Sequence, residues 1–200
     1  MFHSRKQNLF REHRLDHFLR QQGASFEEEI RGTSLEKISD LGLSDQFLTK
    51  YSLTVPVLDD KNIDIDAHEA MVTVHAGHSR LAFRDGPVQV PGLSITVKVP
   101  FIGEVELFKC QPSTYSPSGT PEATIENGNL VMHYETTEKD PEKIKELWKS
   151  DIGVIRQNLE WVAKDVSQYN NSLANSIQAA LTKRKQDAES NKSLIDKLRE

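Results

Sequence analysis

The residues best placed to do chemistry are His75 and His78, three apart, with Arg84 and Asp85 shortly after. Imidazoles beside a carboxylate and a guanidinium are side chains a hydrolase or nuclease uses to move protons and hold developing negative charge. The same residues read as surface turns. Ala76-Gly77 puts the two histidines on a hairpin tip, not on one helix face, and Asp85-Gly86 is a favoured tight-turn dipeptide. Zinc needs three or four converging ligands, and His68, Glu69 and Cys110 lie elsewhere along the chain.

Asp60-x-Asn62-x-Asp64-x-Asp66 opens like a calcium loop. Such a loop needs glycine at its sixth position for the sharp turn and a bidentate glutamate at its twelfth. Here those positions hold Ile65 and Met71, so the run is expected to be a polar turn leading into a strand. Cys110 is the only cysteine, which excludes an internal disulfide and fits a reducing compartment. It alternates like a strand residue and is expected to pack as a small side chain. The chain contains no glycine-rich phosphate loop, nucleophile elbow or HExxH helix. No catalytic residue, cofactor or metal is therefore assigned.

The elements that would position these residues fall into three segments. Residues 1–49 are expected to be helical, 50–138 an antiparallel β-domain, and 139–200 a long C-terminal helix. In the first segment Leu9, Phe10, Leu15, Phe18 and Leu19 predict a helix over 4–21 that stops near Gly23. Ser34 and Gly42 bracket a second helix, and Phe47 and Leu48 mark a third. Arg5, Lys6, Arg11, Arg14 and Arg20 make the start basic, whereas Glu27 to Asp45 is acidic; internal pairing of the two blocks is the plain expectation. With a net charge of −5, a global nucleic-acid footprint is absent, which leaves the basic segment as a lesser candidate for that partner.

From Tyr51 to Thr137 the apolar period is two. Strands are predicted over 53–58, 70–75, 93–101, 104–110, 123–125 and 130–135, with hairpins through Pro100–Gly103 and Asn127-Gly128-Asn129. The fold class is α+β: an antiparallel sandwich or curled sheet with N-terminal helices and a long amphipathic C-terminal helix or helical hairpin.

Asp140-Pro141-Glu142 is a strong helix start. Beyond it Trp148, Ile155, Val162 and Tyr169 recur every seven residues, as do Ile152, Leu159, Val166 and Leu173, offset by four. These are the two core positions of a coiled coil, and Ile177 and Leu181 continue the seam in steps of four. A helix from Pro141 to Gln186 is about 69 Å long at ~1.5 Å per residue. On that length the seam is expected to outrun the β-domain and to bury itself against another subunit, or by folding back at Asn170-Asn171-Ser172. Leu194, Ile195 and Leu198 predict at most a weak final helix.

The run Arg84-Asp85-Gly86, Gly92, Pro100-Phe101, Gly103, Leu107-Phe108 and Pro112-Ser113 is joined by Leu159, Trp161, Asp165, Asn170, Leu173, Arg184 and Lys185. Over residues 80–186 this pattern resembles an uncharacterised bacterial module that stands N-terminal to nuclease-like or TIR effector domains in proteins suspected of antiphage defence. The resemblance implies a β-rich segment, a long helix and an effector partner, and it brings no catalytic residues. Together these observations favour a non-catalytic, cytoplasmic sensing or assembly module that forms a homo-oligomer, with a dimer as the first expectation, through its C-terminal helix. The alternative is a hydrolase or nuclease with a site around His75, His78, Arg84 and Asp85. No segment approaches the ~20 apolar residues that span a bilayer, so no membrane partner is expected.

Overall fold

The computed structural model describes residues 7–38, 40, 42–74, 87–115 and 119–199. The chain is α+β: a curled antiparallel sheet wraps the first half of a long C-terminal helix, and short N-terminal helices pack on its second half. The sheet comprises β1 (Gln7–Asn8), β3 (Val57–Leu58), β4 (Asp64–Val74), β5 (Val88–Ile102), β7 (Glu122–Glu126) and β8 (Asn129–Thr136). Its order is β1-β7-β8-β5-β3, with β4 also paired to β5. A separate parallel pair joins β2 (His13–Arg14) to β6 (Cys110–Gln111).

Alternation along β5 sets the inner face. Ile95, Val97, Val99 and Phe101 are buried there, and their β8 neighbours Tyr134, Met132 and Leu130 share that face. The β7–β8 hairpin turns at Asn127 and Gly128, both with positive φ, as the Asn-Gly dipeptide predicts. Two glycines permit close backbone approaches. A Cβ on Gly92 would lie 2.5 Å from the Thr136 carbonyl oxygen, and one on Gly103 (φ 130°) would lie 2.7 Å from Pro56.

Several expectations are corrected. The first helix, α1, spans Leu15–Gly32 and passes straight through Gly23, because Phe26 and Ile30 bury beyond it and outweigh a glycine cost of about 1 kcal/mol. Leu9 and Phe10 belong instead to a tight turn after β1 and are buried in the sheet core. The predicted strand over 104–110 is a 3-10 turn, Val105–Phe108, followed by β6. Leu107 and Phe108 are consecutive and both buried, which a strand with one covered face cannot achieve. Only Val57–Leu58 of the predicted strand 53–58 pairs, while β4 begins earlier than its apolar residues, at Asp64. Helices α2 (Leu35–Ile38) and α3 (Leu43–Tyr51) complete the N-terminal part.

The last helix, α4, runs unbroken from Pro141 to Lys197. The Asp140 carboxylate accepts the Glu142 N–H at 3.0 Å, and Pro141 occupies the first turn. No fold-back occurs at Asn170. Its side chain is bonded to the chain entering the sheet: Leu53 N–H donates to Asn170 Oδ1 (3.1 Å) and Asn170 Nδ2 donates to the Leu53 carbonyl (2.9 Å). Ser172 Oγ donates to the Tyr169 carbonyl. The final turns, expected to be weak or separate, are part of the same helix.

Candidate interaction surface

The coiled-coil seam is covered by its own chain. Ile152, Ile155, Leu159, Val162 and Val166 are buried against the sheet, with Trp148 half-buried beside them. Leu173, Ile177 and Leu181 are buried against Phe26, Ile30, Phe47 and Tyr51 of α1 and α3, with Tyr169 packed alongside. The expectation that this seam needs another subunit is therefore corrected. A β-domain alone is too short for the rod, but α1 and α3 take over where the sheet ends. The Asn170–Leu53 bonds mark the junction. Further along, Arg184 Nη2 donates to the Thr33 carbonyl at the end of α1, and Ala188 is also buried.

Past Ala188 the cover ends. Leu194 is 61% exposed, Ile195 47% and Leu198 78%. Eighteen residues make five full helical turns, so Leu194 lies in line with Ser176, Ile195 with Ile177 and Leu198 with Ala180. Ile195 thus extends the seam. Leu194 and Leu198 extend a different stripe, whose earlier members line a groove between α1 and α4. That groove, about 530 Å3, has Ile30, Ser176, Ala179 and Ala180 along it and Glu27, Arg31, Lys183 and Asp187 among its charged residues. The sequence reading missed this stripe because Ser176 and Ala180 carry no strong apolar signal; the 18-residue offset from two leucines was the available clue.

No family model, curated protein or solved structure matches this chain.

Polar groups of the described residues act as fasteners. Ser113 N–H and Oγ both donate to Asp165, at 2.9 and 2.8 Å, tying the loop after β6 to α4. Tyr134 Oη donates to Asp151 (2.8 Å); burial first, then that bond, raises the phenol above its ordinary range, so it stays a donor. Glu29 accepts from Lys50 Nζ and from Tyr51 Oη, joining α1 to α3. Those bonds, with Lys50 the larger contributor, hold the carboxyl below its usual range. Burial, then the bond to Glu29, pushes Tyr51 up to about 12.

Arg5 and Lys6 lie outside the described residues, and among the described ones no ion pair joins the basic block to the acidic one. Arg14 and Arg20 flank Asp16, within the basic segment, and Glu29 takes Lys50. In the calcium-like run, Asp59 accepts from the Lys61 N–H and Asn62 Nδ2, Asp60 pairs with Arg156, and Asp64 and Asp66 stand on β4. That is a turn into a strand. His75, His78, Arg84 and Asp85 lie outside the described residues. Cys110 is buried, and desolvation pushes its thiol up to about 11, away from nucleophilic chemistry. Among the described residues no three His, Cys, Asp or Glu side chains converge to hold a metal, and no helix is long and apolar enough to cross a membrane.

Proposed function

We propose that this chain is a non-catalytic sensing and assembly module, of a bacterial and defence-related kind, that works in the cytoplasm and oligomerises through its C-terminal helix. The observation that carries the reading is the far end of α4. This helix projects past the last element packed on it and bears Leu194, Ile195 and Leu198 largely in water. Exposed apolar residues scattered singly are ordinary, but three within five positions on one uncovered stretch of helix are a docking feature.

The resemblance over residues 80–186 supports the effector-linked, defensive setting. Its pattern is structural: Gly92 and Gly103 permit close backbone approaches, Phe101, Leu107 and Phe108 are core, and Asp165, Asn170 and Arg184 are the fasteners described above.

Light scattering of the full chain over a wide concentration range tests the assembly claim. Mass is expected to rise reversibly above that of one chain as concentration increases. A constant monomer mass across the range would remove it.

A further inference from the structure

We propose that two copies of the chain associate antiparallel through the α4 stripe that carries Ser176, Ala180, Lys183, Asp187, Leu194 and Leu198. This deepens the assembly reading above, on which it rests, by naming the partner and the register.

The argument is one of size and position. The groove beside α1 is open because its α4 wall is built from the small residues Ser176, Ala179 and Ala180. Small residues let a second helix approach closely and leave room for large side chains from it. The large side chains available on the same stripe are Leu194 and Leu198, exposed and without partners among the described residues. When two such helices lie antiparallel and centred on residue 187, Leu198 of each falls opposite Ser176 of the other. Leu194 then falls opposite Ala180, and Asn191 opposite Lys183. Large meets small at both ends of a two-fold contact, so the surface is complementary to itself, as an isologous dimer interface must be.

The Asp187 carboxylates meet at the axis, and Lys183 of both copies, one helical turn from each, offsets their mutual repulsion. The groove carries both signs through Glu27 and Arg31, and Lys192, Asp196 and Lys197 surround the two leucines in the sequence. A parallel pairing would bring leucine to leucine but leave both groove walls empty. The paired stretch, residues 176–198, is about 33 Å long at ~1.5 Å per residue. That is a modest surface, consistent with reversible association.

Ser176, Leu194 and Leu198 are exposed, so changing them leaves the monomer fold intact. Sedimentation of the full chain should show the dimerisation constant weakened at least tenfold by Leu194→Ser with Leu198→Ser, and similarly by Ser176→Arg alone, with circular dichroism and melting unchanged. Register is read by cross-linking under mild oxidation. Ser176→Cys with Leu198→Cys in one chain should give a disulfide-linked dimer, whereas Leu198→Cys alone should not, its two copies lying about 33 Å apart along the axis. A dimer unaffected by the serine substitutions, or one linked through Leu198→Cys alone, overturns this register while leaving assembly standing. A chain that never dimerises overturns both.

Discussion

Asn170 shows how much a single residue decides here. Asparagine is a poor helix-interior residue because its side chain competes for backbone bonds. In α4 it supplies both bonds that Leu53 needs as the chain leaves α3 for the sheet. Asn170→Ala would leave the part-buried Leu53 N–H and carbonyl without those partners. The expected loss is about 1–3 kcal/mol, measured by urea unfolding. Cys110 offers a second residue-level test. Because burial keeps its thiol protonated, a small disulfide reagent at pH 8 should react only as fast as the protein opens, and at once in denaturant. Glu29 contributes through pH. Its carboxyl is lowered when folded, so the stabilisation is present above the ordinary value of 4.5 and is lost as pH falls through the lowered one. Glu29→Gln should therefore narrow the stability gap to the native chain on acidification. The effect is expected below about 1 kcal/mol, because the pair is substantially exposed.

At the scale of elements, two glycines with opposite environments make a paired prediction. Gly23 lies inside α1, and a Cβ there would only touch the Phe26 ring at 4.0 Å. Gly23→Ala should stabilise by about 0.5–1 kcal/mol. Gly103 has φ of 130°, and a Cβ there would strike the backbone around Pro56. Gly103→Ala should destabilise by more than about 2 kcal/mol and pull β3 from β5, visible as faster amide exchange at the bonded Asp59 and Glu104. Legibility differed between elements for comparable physical reasons. The β7–β8 hairpin was readable because Asn127-Gly128 dictates its own turn. The segment 104–110 was not, because its alternation mimics a strand while its backbone follows contacts with nearby Phe101 and with Phe10, which is remote in sequence. The Gly23 stop failed because local propensity is small beside the burial of Phe26 and Ile30.

On the scale of the whole molecule, α4 is a spine shared by two apolar clusters, one with the sheet and one with α1 and α3. Protection from hydrogen exchange should be highest from Ile152 to Leu181, where both clusters grip it. It should fall toward that of an isolated helix after Ala188 in dilute solution. On concentration the same last turns should gain protection if they are an assembly surface, and a tip that stays unprotected at high concentration would contradict the proposed dimer.

The amino-acid order by itself determined that α4 exists, where it begins and which of its residues are apolar and in register, because periodicity and the Asp-Pro-Glu start act locally. It also determined the two-residue rhythm of the β-region and the tight β7–β8 hairpin. What covers the seam was decided only in three dimensions. Apolar side chains at seven-residue spacing fit a sheet, two short helices or a second subunit equally well, and the choice depends on where the loop at Leu53 brings α3 relative to Asn170. For the same reason the groove wall of Ser176 and Ala180 became meaningful only once α1 lay beside it.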